Sequence, residues 1–271
     1  MLGLFMGNKS PAMGAHCFIV PGQPSHFIEV RPTPWNDVVL AKKTCEIIDC
    51  CPEISDFNTL LQQAIEFIKQ ADFEYVQARV EHIREKRRLL ENTGFYYAEL
   101  SYELSFRNPK RYVFERDLSR RLLLFPVKSQ QDIALIKTMA VDNFKHGRML
   151  EDLYIDYTAA KQRTANWIDA LARSPHELYL AKHGDKAVGF HAQRPSMNGC
   201  ELDWILTGAC SEYSMLSVPL WHAAFRLAQD RDIQKITTMI SAANVGVLNL
   251  YNSFPFHIDR ALCGYHLMIT D

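Results

Sequence analysis

From residue 121 onward, stretches of strand-like alternation and of helical period follow one another in the order β-α-α-β-β-β-α-β-α-β. Such a succession calls for an α/β fold with a mixed central sheet flanked by helices. The apolar run RLLLFPV reads as the first strand, and Ser129 is placed to cap a helix through Asp132, Ile133, Ile136 and Met139 to Phe144. A second helix is expected from about Tyr157 to Arg173, burying Trp167, Ile168 and Leu171. ELYLAK, the turn HGDK and AVGFHAQ then read as a hairpin, with CELDWILTG as a third strand. Pro219 opens a helix through Trp221 to Ala228, QKITTMIS is a strand, NVGVLNLYNS a short helix and ALCGYHLMIT the final strand.

The first half is smaller and also mixed. Leu60, Leu61, Ala64, Ile65 and Ile68 make one apolar stripe on a helix from Phe57 to Ala71, and a second helix is expected over Val80 to Leu90. FEYVQARV between them reads as a strand, and after Gly94 the run FYYAELSYELSF reads as a long one. The two segments ENTGFYYAELSYELSF and YNSFPFHIDRALCGYHLMI echo each other: helix end, turn, aromatic residues, long strand. The echo is either a coincidence of two α/β endings or the trace of a partial internal repeat. The expected division is a flexible arm over residues 1–25, a smaller α/β domain over 26–115 and a larger domain over 116–271.

A chain of 271 residues, 48% hydrophobic and 23% charged, is long enough to bury a core without disulfides and lies outside the disordered range. A net charge of -1 supplies no general field for nucleic acid. The seven cysteines are odd in number and lack C-x-x-C spacing, so neither a metal nor a disulfide framework is expected, and reduced thiols point to the cytoplasm. No apolar run approaches the roughly 18 residues of a membrane span, and MLGLFMGNKSPAMGAH carries only Lys9, after its apolar residues, which makes a poor signal peptide.

The element order from 121 to 271, closing in SAANVGVLNLYNSFPF, resembles the GNAT superfamily of N-acyltransferases, whose members end in a comparable Asn-helix-Tyr-turn-Phe segment. Within it, Trp35, Asn36 and Asp37, then Phe144, Arg148 and Asp152, then Trp167, resemble in order the nucleotide-sugar N-acetyltransferases typified by TDP-fucosamine acetyltransferase. The resemblance implies transfer of an acetyl or short hydroxyacyl group, such as 3-hydroxybutanoyl, from acyl-CoA. The acceptor it implies is the amino group of a dTDP-linked amino-deoxyhexose in surface-polysaccharide (lipopolysaccharide) synthesis. It involves no metal, nucleic acid or membrane, and leaves room for a homodimer.

By that resemblance Tyr251 is the proton donor to the coenzyme A sulfur; the alternative is a tyrosine packing a short helix. Asn244 is a cofactor contact or simply the helix N-cap. Leu206 and Gly208 are expected on a strand edge that pairs with pantetheine. Glu201 and Asp203 share one face of that strand, either as bases acting through water or as its wet side. Where the family usually places a glycine-rich pyrophosphate loop this chain reads EYSMLSVP, so Ser214, Met215, Leu216 and Ser217 are the candidate phosphate contacts, with Glu212 opposing them. Arg148, Asp152 and His146 are the candidate substrate contacts, although Arg148 and Asp152 are also spaced to pair with each other. Two other functions fit the sequence: a lapsed domain acting as a binding or regulatory module, and a tandem-GNAT aminoacyl transferase.

Overall fold

The computed structural model describes residues 14–269. The first half of the chain forms β1 (His16–Val20), β2 (Gln23–Pro32), α1 (Pro34–Leu40), β3 (Thr44–Asp49), α2 (Ile54–Gln70), β4 (Tyr75–Glu81), α3 (Arg84–Asn92) and β5 (Tyr96–Arg107). The second forms β6 (Leu123–Pro126), α4 (Gln130–Asn143), α5 (Tyr157–Ala172), β7 (Glu177–His183), β8 (Lys186–Pro195), β9 (Glu201–Ala209), α6 (Ser217–Gln229), β10 (Lys235–Ser241), α7 (Val245–Asn252) and β11 (His257–Met268). Two compact units result. Unit 1 holds the described residues up to Ser101 with Gly147–Ala159 and those from Ala261 on; unit 2 holds Tyr102–His146 and Ala160–Arg260. The division is therefore interleaved, not a single cut after residue 115.

In unit 1 the strands run in the order β1-β2-β3-β4-β11-β5. The β1-β2-β3 pairings are antiparallel, β3-β4 is parallel, and β4 also pairs antiparallel with β11, from Leu262 opposite Glu81 to Met268 opposite Tyr75. Helix α2 buries Phe57, Leu60, Leu61, Ala64, Ile65 and Ile68, the i, i+3, i+4 stripe that a surface helix needs. That stripe packs on alternate residues of the sheet, among them Ile28, Val30, Cys45, Ile47, Val76, Ala78 and Val80. Val80 thus belongs to β4, and the helix expected from Val80 begins only at Arg84. The expected arm is likewise overturned from His16 onward, because β1 pairs with β2 and covers apolar Phe18 and Val20 against the core; residues 1–13 of it lie outside the described residues. Trp35, Asn36 and Asp37 sit in α1, ahead of strand β3.

In unit 2 the order is β5-β10-β9-β8-β7-β6, with residues 102–107 of β5 and 257–260 of β11. Ser129 caps α4 through a capping box: Asp132 N–H donates to its hydroxyl at 3.1 Å and the Asp132 carboxylate accepts from Ser129 N–H at 3.3 Å. Ile136, Met139, Ile168 and Leu171 of α4 and α5 pack with Leu180, Phe190 and Ala192 of the sheet, whereas Trp167 is only half-buried, beneath the Arg163 guanidinium. A separate core gathers Trp204, Leu220, Trp221, Phe225, Ile236, Tyr251 and Phe254 from β9, α6, β10, α7 and the turn that follows it.

The two halves follow one plan. Three antiparallel strands, a helix, a strand parallel to the third, a short helix and a twelve-residue strand occur as β1-β2-β3-α2-β4-α3-β5, with α1 inserted between β2 and β3, and again as β7-β8-β9-α6-β10-α7-β11. The echo read in the sequence is this α3-β5 and α7-β11 correspondence. Phe57 is fully buried in the unit 1 core, so Phe57→Ala is expected to lower stability by about 3–5 kcal/mol, measurable by denaturant unfolding.

Candidate functional site

Strands β9 and β10 begin as a parallel pair and then part. Their pairing runs from Glu201 opposite Lys235 to Trp204 opposite Thr238 and stops there, although β9 continues to Ala209 and β10 to Ser241. On its other side β9 stays paired with β8, where Gln193 faces Trp204 and Ala192 faces Leu206. Ile205 is thus the extra residue of a β-bulge, and such a bulge bends a strand and sharpens its twist. Beyond it, the backbone groups of β9 that face β10 lack a ladder partner, and Leu206 and Gly208 lie on this stretch.

The fork is held from below. Trp204 is buried, with its indole 6.4 Å from the Tyr251 ring and 5.1 Å from Phe225. Tyr251 leaves α7 to pack against Trp221 and Phe256 at 5.8 and 4.8 Å. Its side chain is 2% exposed, and burial pushes its phenol up to about 12, with the hydroxyl of Thr238 pulling the other way. Tyr251 therefore both packs the helix and brings a neutral O–H to the last paired residue of the fork. Gly189 fixes the approach of β8, since a Cβ there would lie 2.6 Å from the Gly208 carbonyl oxygen.

Behind the fork runs a chain of polar groups that the sequence did not reveal, buried at His191 and Gln193 and partly exposed at Glu177 and Arg231. His191 Nε2–H donates to Gln193 Oε1 at 3.0 Å, Nδ1 accepts from the Thr207 hydroxyl at 2.8 Å, and Gln193 donates to Glu177 at 2.7 Å. Arg231 closes it on Glu177. Both nitrogens of His191 are occupied, and burial pushes the ring down to about 4. The strand alternation shows only that His191 and Gln193 share a face; cross-strand register supplies their partners.

The other expected residues divide. Asp203 accepts from Arg194 at 2.7 Å, and Glu201 stands at the paired end of β9, away from the fork. Asn244 caps α7, its side chain accepting from Val247 N–H at 3.4 Å. Ser214, Met215 and Leu216 lie in a 3-10 turn that runs into α6 at Ser217, with Met215 fully exposed and Leu216 resting on the core. The start of α6 has no side-chain cap, but the Ser217 N–H is taken by the Ser214 carbonyl and Pro219 has none, so the hydroxyls of Ser214 and Ser217 are the donors suited to a pyrophosphate, whereas the exposed Glu212 is not. Arg148 and Asp152 lie in unit 1 and do not pair with each other: Arg148 donates to Glu46 at 2.6 Å and Asp152 accepts from His266 at 2.5 Å. Long-range partners outcompete the i, i+4 contact because residues 147–150 are a turn, not a helix. His146 is exposed and belongs to unit 2.

Among the described residues no helix is long and apolar enough to cross a membrane, and no cluster of three or more His, Cys, Asp or Glu side chains is placed to hold a metal ion.

Two predictions follow from this geometry. Gly189→Ala is expected to destabilise the chain by about 1–3 kcal/mol through overpacking, read by thermal or urea unfolding. His191 is held below its ordinary value of 6.5, so the folded state binds fewer protons than the unfolded state between about 4 and 6.5. Its contribution is complete above pH 6.5 and lost as pH falls toward 4; stability measured across that window is expected to fall less steeply in His191→Gln.

No protein-family model matches the sequence, and no curated protein matches it. Solved structures do. The chain is similar to a GCN5-related N-acetyltransferase from Sphaerobacter thermophilus, with 12% identity, a TM-score of 0.61, and coverage of 93% of this chain and 79% of that one. It is similar to a tandem GNAT protein from the clavulanic acid biosynthesis pathway, at 10% identity and TM-score 0.59 over 95% and 85% of the two chains. A GCN5-related N-acetyltransferase from Kribbella flavida matches at 10% identity and TM-score 0.56 over 82% and 80%. At such identities the likeness is one of architecture, and it agrees with the mixed sheet flanked by helices and the repeated plan: the chain is built on the GNAT fold.

Proposed function

We propose that unit 2 is an acyl-CoA-dependent N-acyltransferase. The observation that carries this reading is the free edge of β9 beyond Trp204, with Tyr251 beneath the point where the strands part. An extended amide-bearing chain such as pantetheine satisfies that edge as an added strand would. Acyl-CoA supplies the thioester, and the hydroxyls of Ser214 and Ser217 offer donors to its pyrophosphate. A neutral amine attacks the acyl carbon; a C–N bond forms, the C–S bond breaks, and the thiolate takes a proton from the Tyr251 hydroxyl. That hydroxyl, raised to about 12, holds its proton throughout the neutral range. The ammonium proton leaves through water, toward Asp203 rather than the more distant Glu201, and water returns a proton to Tyr251.

For the acceptor, the resemblance of the Trp35 and Phe144 to Trp167 segments favours a dTDP-linked amino-deoxyhexose, with the reaction in the cytoplasm. Arg148 does not strengthen that choice, because it belongs to unit 1 and one nitrogen of its guanidinium is held by Glu46. The exposed Glu212 beside the candidate phosphate donors favours the second reading, a domain that has lost coenzyme A and binds without catalysis.

Calorimetry with coenzyme A separates the two: absence of heat at millimolar ligand sinks the enzyme. Thiol release from acetyl-CoA and 3-hydroxybutanoyl-CoA against a panel of dTDP-amino sugars and amino acids then identifies donor and acceptor. Tyr251→Phe is expected to lower turnover by about 10²- to 10⁴-fold with coenzyme A affinity unchanged; unaltered turnover means that another group protonates the thiolate.

A further inference from the structure

Unit 1 buries a second set of titratable side chains that the fork does not use. Where α4 and α5 cover one face of the unit 2 sheet with apolar groups, the corresponding side of β4 and β11 carries Tyr75, Gln77, Arg79 and His266 beneath the segment Gly147–Ala159. Gln77 and His266 are fully buried. Asp152, brought in by that segment, lies 2.5 Å from His266 Nδ1 and accepts from the Tyr96 hydroxyl at 2.9 Å, while the Tyr75 hydroxyl sits 2.7 Å from the same ring nitrogen. A carboxylate at Nδ1 fixes the ring proton there and leaves Nε2 as a lone pair. Burial, reinforced by the charge of Arg148, holds the imidazole below its ordinary value against the pull of Asp152, so the ring stays neutral.

His266 Nε2 has no hydrogen-bond partner, and neither do Gln77 Oε1, Arg79 Nε and Arg148 Nη1, all of them buried atoms. The four belong to one cluster. Gln77 and Tyr75 both donate to the Met149 sulfur, at 3.2 and 3.5 Å, and the charge of Arg148 acts on both Arg79 and His266. A buried polar group left unpaired costs about 1–3 kcal/mol, so four together are an expensive arrangement unless something binds there. The unused groups are also of two kinds: two guanidinium N–H donors and two neutral acceptors. The remaining charge of each arginine is spent, on Glu46 for Arg148 and on Glu99 for Arg79.

We propose that this cluster binds a small carboxylic acid with an adjacent amino or hydroxyl group. Its carboxylate accepts from Arg148 Nη1 and Arg79 Nε, and its ammonium or hydroxyl donates to Gln77 Oε1 and His266 Nε2. The three carboxylates already present, Glu46, Glu99 and Asp152, disfavour a dianion such as phosphate and suit a ligand of low net charge. Entry requires the covering segment to lift, and its first residue, Gly147, has a φ of +124° with nothing within 4 Å of where a Cβ would stand. The site lies within unit 1 and is independent of the acyl-transfer reading.

The test is calorimetry and thermal unfolding of the full chain with L-serine, D-glycerate, glycerol and inorganic phosphate as probes. Serine or glycerate is expected to bind saturably and raise the unfolding temperature, and glycerol, which lacks the carboxylate, to do neither. Gln77→Met keeps the volume and removes the free acceptor; it is expected to weaken binding by about tenfold and to unfold no earlier than the parent without ligand. Arg148→Lys keeps the charge opposite Glu46 while removing the free N–H, and is expected to weaken binding independently. Failure of both acids to bind, binding of phosphate in their place, or parental affinity in a folded variant overturns the proposal.

Discussion

Strand β9 has to satisfy two neighbours and has only one over its whole length. Backbone N–H and C=O groups are obligatory hydrogen-bonding partners, so a strand that leaves its ladder within a sheet must be compensated nearby. In unit 2 the compensation is built around Trp204: the bulge at Ile205 turns the strand, Gly189 lets β8 follow it closely, and the indole fills the space beneath. The aromatic cluster of Trp221, Phe225, Tyr251 and Phe256 makes sense as the support of that fork. It stiffens the point where the sheet divides.

Much of this was legible in the residues. The apolar stripe of α2, the Ser129 capping box, the β7-β8 hairpin and the Asn244 cap are local patterns, written within one or two turns of chain. The repeated plan was legible as well, because two long aromatic strands after short helices leave a trace that needs no register. Leu206 and Gly208 are set at a parting of strands by resemblance alone, and the bulge that turns β9 there is not visible in the residues, since a bulge depends on which cross-strand residue is skipped. Strand β1 and the start of α3 were missed for a related reason. Strand β1 is only five residues long and its apolar residues do not alternate with polar ones, and Val80 can be read with the helix or with the strand until β11 is known to pair with it.

The substrate contacts expected at Arg148 and Asp152 show the limit from the other side. Both residues matter to the structure, yet each answers to a partner far away in sequence, Glu46 for one and His266 for the other. A four-residue spacing suggests a helix pair only if the intervening backbone is helical, and here it is a turn. The two units therefore use matching sheet faces in opposite ways. Unit 2 buries an apolar layer under α4 and α5, and unit 1 buries charge under a short covering segment.

The pairing of β4 with β11 has an outcome for how the chain comes to be folded. Residues 75–81 are made early and residues 261–268 late, yet they share a ladder seven residues long. Until those late residues emerge from the ribosome, β4 exposes an apolar, hydrogen-bond-hungry border to the surroundings. The sheet of the first unit is thereby completed only after the strands of the second have been made.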